Sequence, residues 1–311
     1  GDVYKRQGYY YEEHMGGRYE WTIVGRDAAS VDSVGAALVT AAFKNKQVGD
    51  IPLGFPDQNA SNLLIEDLEC LFGVERESLG VIPEESGAAC FGKVRWYNPI
   101  DKSTVNCFGS SEGENIPINP EVLRIREIDA NFILAIETAG MFRRVAHAVK
   151  TGKAKELARM KPVLVSTKGV PSRAVRLFIN RLQREAGLPV LVFTDYDYGG
   201  TRIFLFMRYG AAKTGYLPKL ANPRAVWLNR ASDILEYDLP SEPMPEKRVK
   251  DFKALLSDPR VAKTEVEREV REYIRIRKEA EQQAFAKESL YYVTNVFLPK
   301  RIKEALSGFR S

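Results

Sequence analysis

The sequence predicts a mixed fold: a small α+β unit, then an α/β unit built on a mostly parallel sheet. Three observations carry this expectation. Apolar runs recur at 132–136, 163–165, 190–193 and 225–228, and helically patterned stretches separate them. Upstream of about Pro120, helical and strand-like stretches mix without that alternation. The chain has 311 residues, 44% hydrophobic and 28% charged, which suits a globular protein of one large or two ordinary domains.

Taken in order, a short helix is expected within 34–43, and Gly54-Phe55-Pro56-Asp57 reads as a turn. Leu64, Ile65, Leu68, Leu71 and Phe72 recur at helical spacing, with Gly73 placed to end that helix. A strand is expected from Val94 to Trp96, with turns at Asn98-Pro99 and Gly109. Phe132, Ile133, Leu134, Ala135 and Ile136 form an uninterrupted apolar strand of the kind covered on both faces. A helix follows Gly140, then a strand at 163–165. The next helix opens near Pro171 and Ser172 and stops at Gly187 and Pro189. A strand at 190–193, a helix over 201–209 and a strand at 225–228 complete the alternation. Val266, Val270, Tyr273, Ile274 and Ala280 fall on one face of a long charged helix, read as a packing helix.

Composition narrows the function classes. The net charge of +5 permits an acidic partner without requiring one. Three scattered cysteines (Cys70, Cys90, Cys107) and two histidines (His14, His147) argue against zinc and suit reduced thiols. No apolar run is long enough for a membrane helix, and no signal peptide is evident. Residues 1–7, GDVYKRQ, read like translated adapter sequence, so Lys5 and Arg6 are set aside.

Two buried strands end in acid: Glu137 follows the first, and Asp195 and Asp197 follow the strand at 190–193. In open α/β sheets, ligands sit beyond the carboxyl ends of the strands. Residues two apart in extended chain point to the same side, so the two aspartates can face one ion together. Three carboxylates at one edge repel unless a cation is present, and an all-oxygen set suits Mg²⁺. The competing reading makes these residues helix caps and turn formers. Gly199 and Gly200 would allow a tight turn and leave room for a phosphate. Lys168, Arg173 and Arg176 surround the start of the helix after 163–165, either as a phosphate site or as a solvated basic face.

These segments have a further property. Ile136-Glu137-Thr138-Ala139-Gly140, Lys168-Gly169-Val170-Pro171 and Leu188-Pro189-Val190 through Asp197 resemble the Toprim domain of the family that joins Spo11 with the A subunit of DNA topoisomerase VI. Ile65-Glu66-Asp67-Leu68-Glu69, the segment 79–84 and the segment 278–284 resemble other parts of the same family, in the same order. The resemblance spans about Asp57 to Ile302.

It implies a winged-helix (CAP-like) domain over 1–122, carrying a nucleophilic tyrosine, and a Toprim domain with C-terminal helices over 123–311. It implies Mg²⁺ held by Glu137, Asp195 and Asp197. It also implies a homodimer of A subunits that works on duplex DNA with an ATPase B subunit, in a prokaryotic cytoplasm or a eukaryotic nucleus. The activity implied is ATP-dependent double-strand passage. A Spo11-like protein that breaks without resealing, and a homologue without catalysis, are the alternatives. Two departures stand out: Tyr198 replaces the usual proline after the second aspartate, and the stretch between the tyrosines and Ile65 is long. Gly8-Tyr9-Tyr10-Tyr11 offers two registers for the nucleophile. Tyr11 fits better, and Tyr10 follows if Arg6 is genuine. The other reading has these tyrosines merely packing or stacking.

Overall fold

A computed structural model describes residues 58–78, 81, 88–210 and 217–309, with strand residues 47–48 and 51–52. The helix expected within 34–43, the turn at 54–57, and Tyr10 and Tyr11 lie outside the described residues. The chain divides into two units, Gly1–Glu84 with Ala212–Leu217, and Glu85–Ala211 with Pro218–Ser311.

In the first unit, β1 (Gln47–Val48) and β2 (Ile51–Pro52) pair antiparallel, and α1 spans Gln58–Phe72. The apolar spacing read from 64 to 72 is this helix. Gly73 follows it at φ 66°, a left-handed turn that glycine adopts without penalty. Buried Glu69 accepts from the backbone and guanidinium of Arg76, which closes the turn after the helix.

The second unit starts with β3 (Ala89–Phe91), β4 (Val94–Asn98), β5 (Ser103–Asn106), β6 (Glu114–Asn115) and β7 (Arg124–Ile128). It continues with β8 (Phe132–Ile136), α2 (Ala139–Lys150), α3 (Lys155–Arg159), β9 (Pro162–Ser166), α4 (Arg173–Ala186), β10 (Val190–Phe193), α5 (Tyr198–Tyr209) and β11 (Val226–Trp227). The six-stranded sheet runs β11-β10-β8-β9-β3-β6. β8 to β11 are mutually parallel where they pair, and β3 joins β9 antiparallel. Every residue of β8, β9 and β10 is buried, which is why each reads as an apolar run without alternation.

The domain boundary expected at 122 lies inside this second unit. The described residues from 88 to 122 are bound into it: Cys90 pairs with Val165, and Trp96 packs edge-on against Phe178 with ring centroids 5.5 Å apart. The small sheet β5-β4-β7 therefore belongs with the parallel sheet.

The C-terminal part holds α6 (Asp233–Glu236), β12 (Glu242–Pro243), α7 (Glu246–Leu255), α8 (Glu265–Ile276), β13 (Lys278–Glu279), a 3-10 turn at Gln282–Lys287, a π turn at Val293–Phe297 and α9 (Leu298–Ser307). The long helix expected through Ala280 ends at Ile276 instead. Arg277 turns left-handed at φ 54°, and the chain then extends to pair β13 with β12. Val266, Val270 and Tyr273 do face the core, but Ala280 is buried through a strand contact, not through the helix. Among the described residues, no helix is long and apolar enough to cross a membrane.

Candidate metal centre

The order β9-β8-β10-β11 makes the crossovers from β8 and from β10 leave in opposite directions. A crevice opens at the carboxyl ends of two such neighbours, the usual place for a ligand in an open α/β sheet. Glu137 is the residue after β8, and Asp195 follows β10 by two. Ile136 is in register with Phe193, so the two acids emerge side by side. The Asp195 N–H donates to Glu137 Oε2 at 2.8 Å.

Asp195 is fixed in turn by the N–H of Gln282, which donates to Oδ1 at 2.8 Å. Asp197 caps α5, its Oδ1 accepting from the Gly200 N–H at 2.7 Å. The cap reading and the ligand reading thus meet in one residue: one oxygen of Asp197 orders the helix start, and the other remains. The same holds for Glu137 and Asp195. Each has one oxygen on a backbone N–H and a second with no hydrogen-bond partner among the described residues.

Burial pushes Glu137 up to about 7. The Asp195 N–H opposes this, and the charges of Asp195 and Asp197 add to it. Burial likewise pushes Asp195 up to about 6, with Asp197 and Glu281 adding to it. Among the described residues, no basic side chain offsets either shift. Half-buried carboxylates without a counter-charge, each with an oxygen to spare, make a donor set that fits a hard divalent cation. Among the described residues, no three acid, thiol or imidazole groups stand close enough together to hold a metal ion between them.

Sequence reasoning did not foresee the segment that covers these acids from the other side. Tyr196 and Ala280 exchange two backbone hydrogen bonds, of 2.7 and 3.1 Å. That register sets Glu281 against Asp195 and Glu279 against Asp197, and both pairs repel. Burial chiefly, then Asp197, raises Glu279, while Arg248 and the Tyr198 N–H hold it down. The 278–284 resemblance was the one signal in the sequence that pointed to this segment.

Lys168 is exposed on the loop after β9, where Gly169 N–H donates to the Glu137 carbonyl at 3.0 Å. Arg173 is half-buried in the first turn of α4, which Ser172 caps. Arg176 does not share an open face with it. Only 3% exposed, Arg176 lies over the Phe206 ring at 4.2 Å and donates to the Leu220 carbonyl. It packs α4 against α5 and is not a surface phosphate contact. Tyr198 occupies the first position of α5, where the N–H has no partner within the helix and bonds Glu279 instead, a contact that proline would lack. Its ring packs edge-on against Phe252, 5.3 Å away.

Comparison with known proteins bears on the same stretch. The family model for the Toprim domain shared by Spo11 and the topoisomerase 6 A subunit matches residues 132–302. A relative from Methanocaldococcus jannaschii, named as the A subunit of type 2 DNA topoisomerase 6, is 41% identical over 258 residues, covering 80% of this chain and 68% of that protein. Relatives of the same name from Archaeoglobus fulgidus and Methanosarcina mazei are each 38% identical over 256 residues, covering 80% of this chain and 69% and 68% of theirs.

Proposed function

This chain belongs to the family of Spo11 and the topoisomerase 6 A subunit, and on that footing we propose that it is the DNA-cleaving component of a type IIB, ATP-dependent DNA topoisomerase. The observation that carries the reading is the backbone-locked meeting of Glu137 and Asp195 at the sheet's switch point, with Asp197 beside them. In this reading Glu137, Asp195 and Asp197 hold Mg²⁺. Bound there, the ion would neutralise charge building on the scissile phosphate and orient it.

The chain's own groups do the rest. The phenol oxygen of Tyr11, or of Tyr10 in the other register, attacks the backbone phosphorus. A P–O bond to tyrosine forms as the bond to the 3′ oxygen breaks, leaving a 5′-phosphotyrosyl end and a 3′-hydroxyl. The phenol gives up its proton and the departing 3′ oxygen gains one. The bond energy is retained, so resealing runs the same exchange backwards. Lys168, and Arg173 at the start of α4, hold the DNA backbone without reading its sequence. The winged-helix tyrosine domain, expected over 1–122, is supplied by the residues before the sheet unit, up to Glu84. Two A subunits pair, each tyrosine working at the partner's acids, and an ATPase B subunit drives strand passage in a nucleoid-associated, cytoplasmic assembly.

The experiment combines the chain with its B subunit, ATP, Mg²⁺ and supercoiled plasmid, and traps the protein–DNA adduct with detergent. Adduct lost in Tyr11→Phe fixes the nucleophile, and adduct lost only in Tyr10→Phe moves it by one. Relaxation that survives both substitutions removes the covalent mechanism. A plasmid that is cut but never resealed would favour the break-forming alternative.

A further inference from the structure

The acids of the site are accounted for, but the residue that joins them from behind is not. Gln282 is 0% exposed and uses three polar groups at once. Its main-chain N–H donates to Asp195 Oδ1 at 2.8 Å. Its side-chain Nε2 donates to the Phe193 carbonyl at 2.7 Å. Its Oε1 accepts from Thr138 Oγ1 at 3.0 Å. Thr138 is the neighbour of Glu137 and caps α2. The Phe193 carbonyl that Gln282 holds also takes the N–H of Glu137, at 3.0 Å.

We propose that Gln282 is a positioning residue: it fixes the separation of the Glu137 and Asp195 carboxylates and thereby sets the affinity of the site for its divalent cation. The inference rests on the metal-binding reading of those acids. Gln282 binds the strand end that delivers Asp195, the helix start that follows Glu137, and the Asp195 carboxylate itself. Only a carboxamide on a two-methylene stem offers a donor to Phe193 and an acceptor to Thr138 from the same point. A glutamate there would set an acceptor against the Phe193 carbonyl. A methionine would leave both the carbonyl and the threonine hydroxyl without this partner. The segment itself does not depend on the side chain, because the Tyr196–Ala280 backbone pair anchors it independently. Replacing the side chain therefore loosens the acids and leaves the fold in place.

The test is calorimetric titration of the full chain with Mn²⁺ alone, with circular dichroism and urea midpoints taken in chelator. Gln282→Met should fold and bind Mn²⁺ about ten-fold more weakly, whereas a change of no more than about two-fold overturns the proposal. Thr138→Val should weaken binding in the same direction, and Thr138→Ser, which keeps the hydroxyl, should restore it. Thr138→Val binding like wild type overturns the proposal even if Gln282→Met does not fold. A Val261→Ala control, a buried site in the same unit, should lose stability without losing Mn²⁺ affinity. An equal loss of affinity there reduces Gln282 to general packing and overturns the proposal. A folded wild type that binds no Mn²⁺ defeats the metal reading itself. A wild type and a Gln282→Met that bind alike defeat only the role of Gln282.

Discussion

The amide of Asp195 donates to the Oε2 of Glu137, joining two acids 58 positions apart in the chain. The contact is a consequence of register: Phe193 lies opposite Ile136, so whatever follows the two strands must meet. Each acid is therefore oriented by main chain through one oxygen, and its second oxygen carries no hydrogen bond among the described residues.

Glu137→Gln and Asp195→Asn keep an acceptor oxygen for the existing N–H bonds and remove only charge. Each should lower formation of the trapped adduct by at least about a hundred-fold, because several kcal/mol of charge stabilisation leaves with the ligand. In chelator, the urea midpoint should hold or rise, since burial and mutual repulsion disfavour these charges in the folded state. A midpoint that collapses together with cleavage would assign the acids to the framework and not to the chemistry.

The pH dependence of the metal-free protein follows from the same shifts. Glu137 at about 7 and Asp195 at about 6 both sit above their unfolded values. Between the unfolded and folded values the native state carries the extra protons. Stability therefore falls as pH rises through that window, by up to about 1.4 kcal/mol per pH unit for each group. The Glu137→Gln, Asp195→Asn double variant should lose this slope between about pH 4 and 7 relative to wild type. Urea unfolding at several pH values in chelator measures it, and parallel curves for the two proteins would contradict the shifts.

Much of this was legible because strands covered on both faces leave unbroken apolar runs, as at Phe132–Ile136 and Val190–Phe193, and the acids sit directly beyond them. The turn to Arg277 was not legible. Lys278, Glu279 and Glu281 continue the charge pattern of the helix, and what ends it is a left-handed residue and a distant strand. Arg176 misled because spacing reports which face a residue shares, not what covers that face. The elements that bury it, α5 and the 218–220 turn, are far away in sequence. Gln282 carries no periodic signal at all, since a bridge centred on the Tyr196–Ala280 pair leaves none.

Behind Tyr196, Arg301 pairs with Asp233, both almost wholly buried. Asp233 also accepts from the Tyr196 hydroxyl at 3.2 Å and the Arg230 N–H at 2.9 Å. Asp233→Ala leaves the buried guanidinium, among the described residues, with only its 3.3 Å ion pair to the part-exposed Glu304 and should destabilise by about 3–5 kcal/mol, whereas Asp233→Leu combined with Arg301→Met should lose far less than the two singles summed. Equilibrium urea unfolding of wild type, Asp233→Leu, Arg301→Met and the double variant gives the coupling, and strictly additive losses would show that the pair acts as two independent groups.

Gly199 and Gly200 read alike in the sequence but differ in the structure. A Cβ on Gly200 would stand 2.2 Å from the Asp195 carbonyl oxygen and 2.8 Å from Thr194 Oγ1. The nearer atom is backbone, so the strand end carrying Asp195 would have to move. A Cβ on Gly199 meets only the Asp197 carboxylate, at 3.3 Å, and a small shift of that side chain relieves it without releasing the cap. Gly200→Ala should therefore destabilise by about 1–3 kcal/mol, as overpacking does, and reduce Mn²⁺ affinity by displacing Asp195. Gly199→Ala lies in the first turn of α5 and should keep the stability of wild type, or gain from alanine's helix preference. Its Mn²⁺ affinity should fall only as far as the Asp197 carboxylate is displaced. Calorimetry with Mn²⁺ and urea midpoints separate the two variants, and equal losses in both would mean that the close approach at Gly200 is not what the turn depends on.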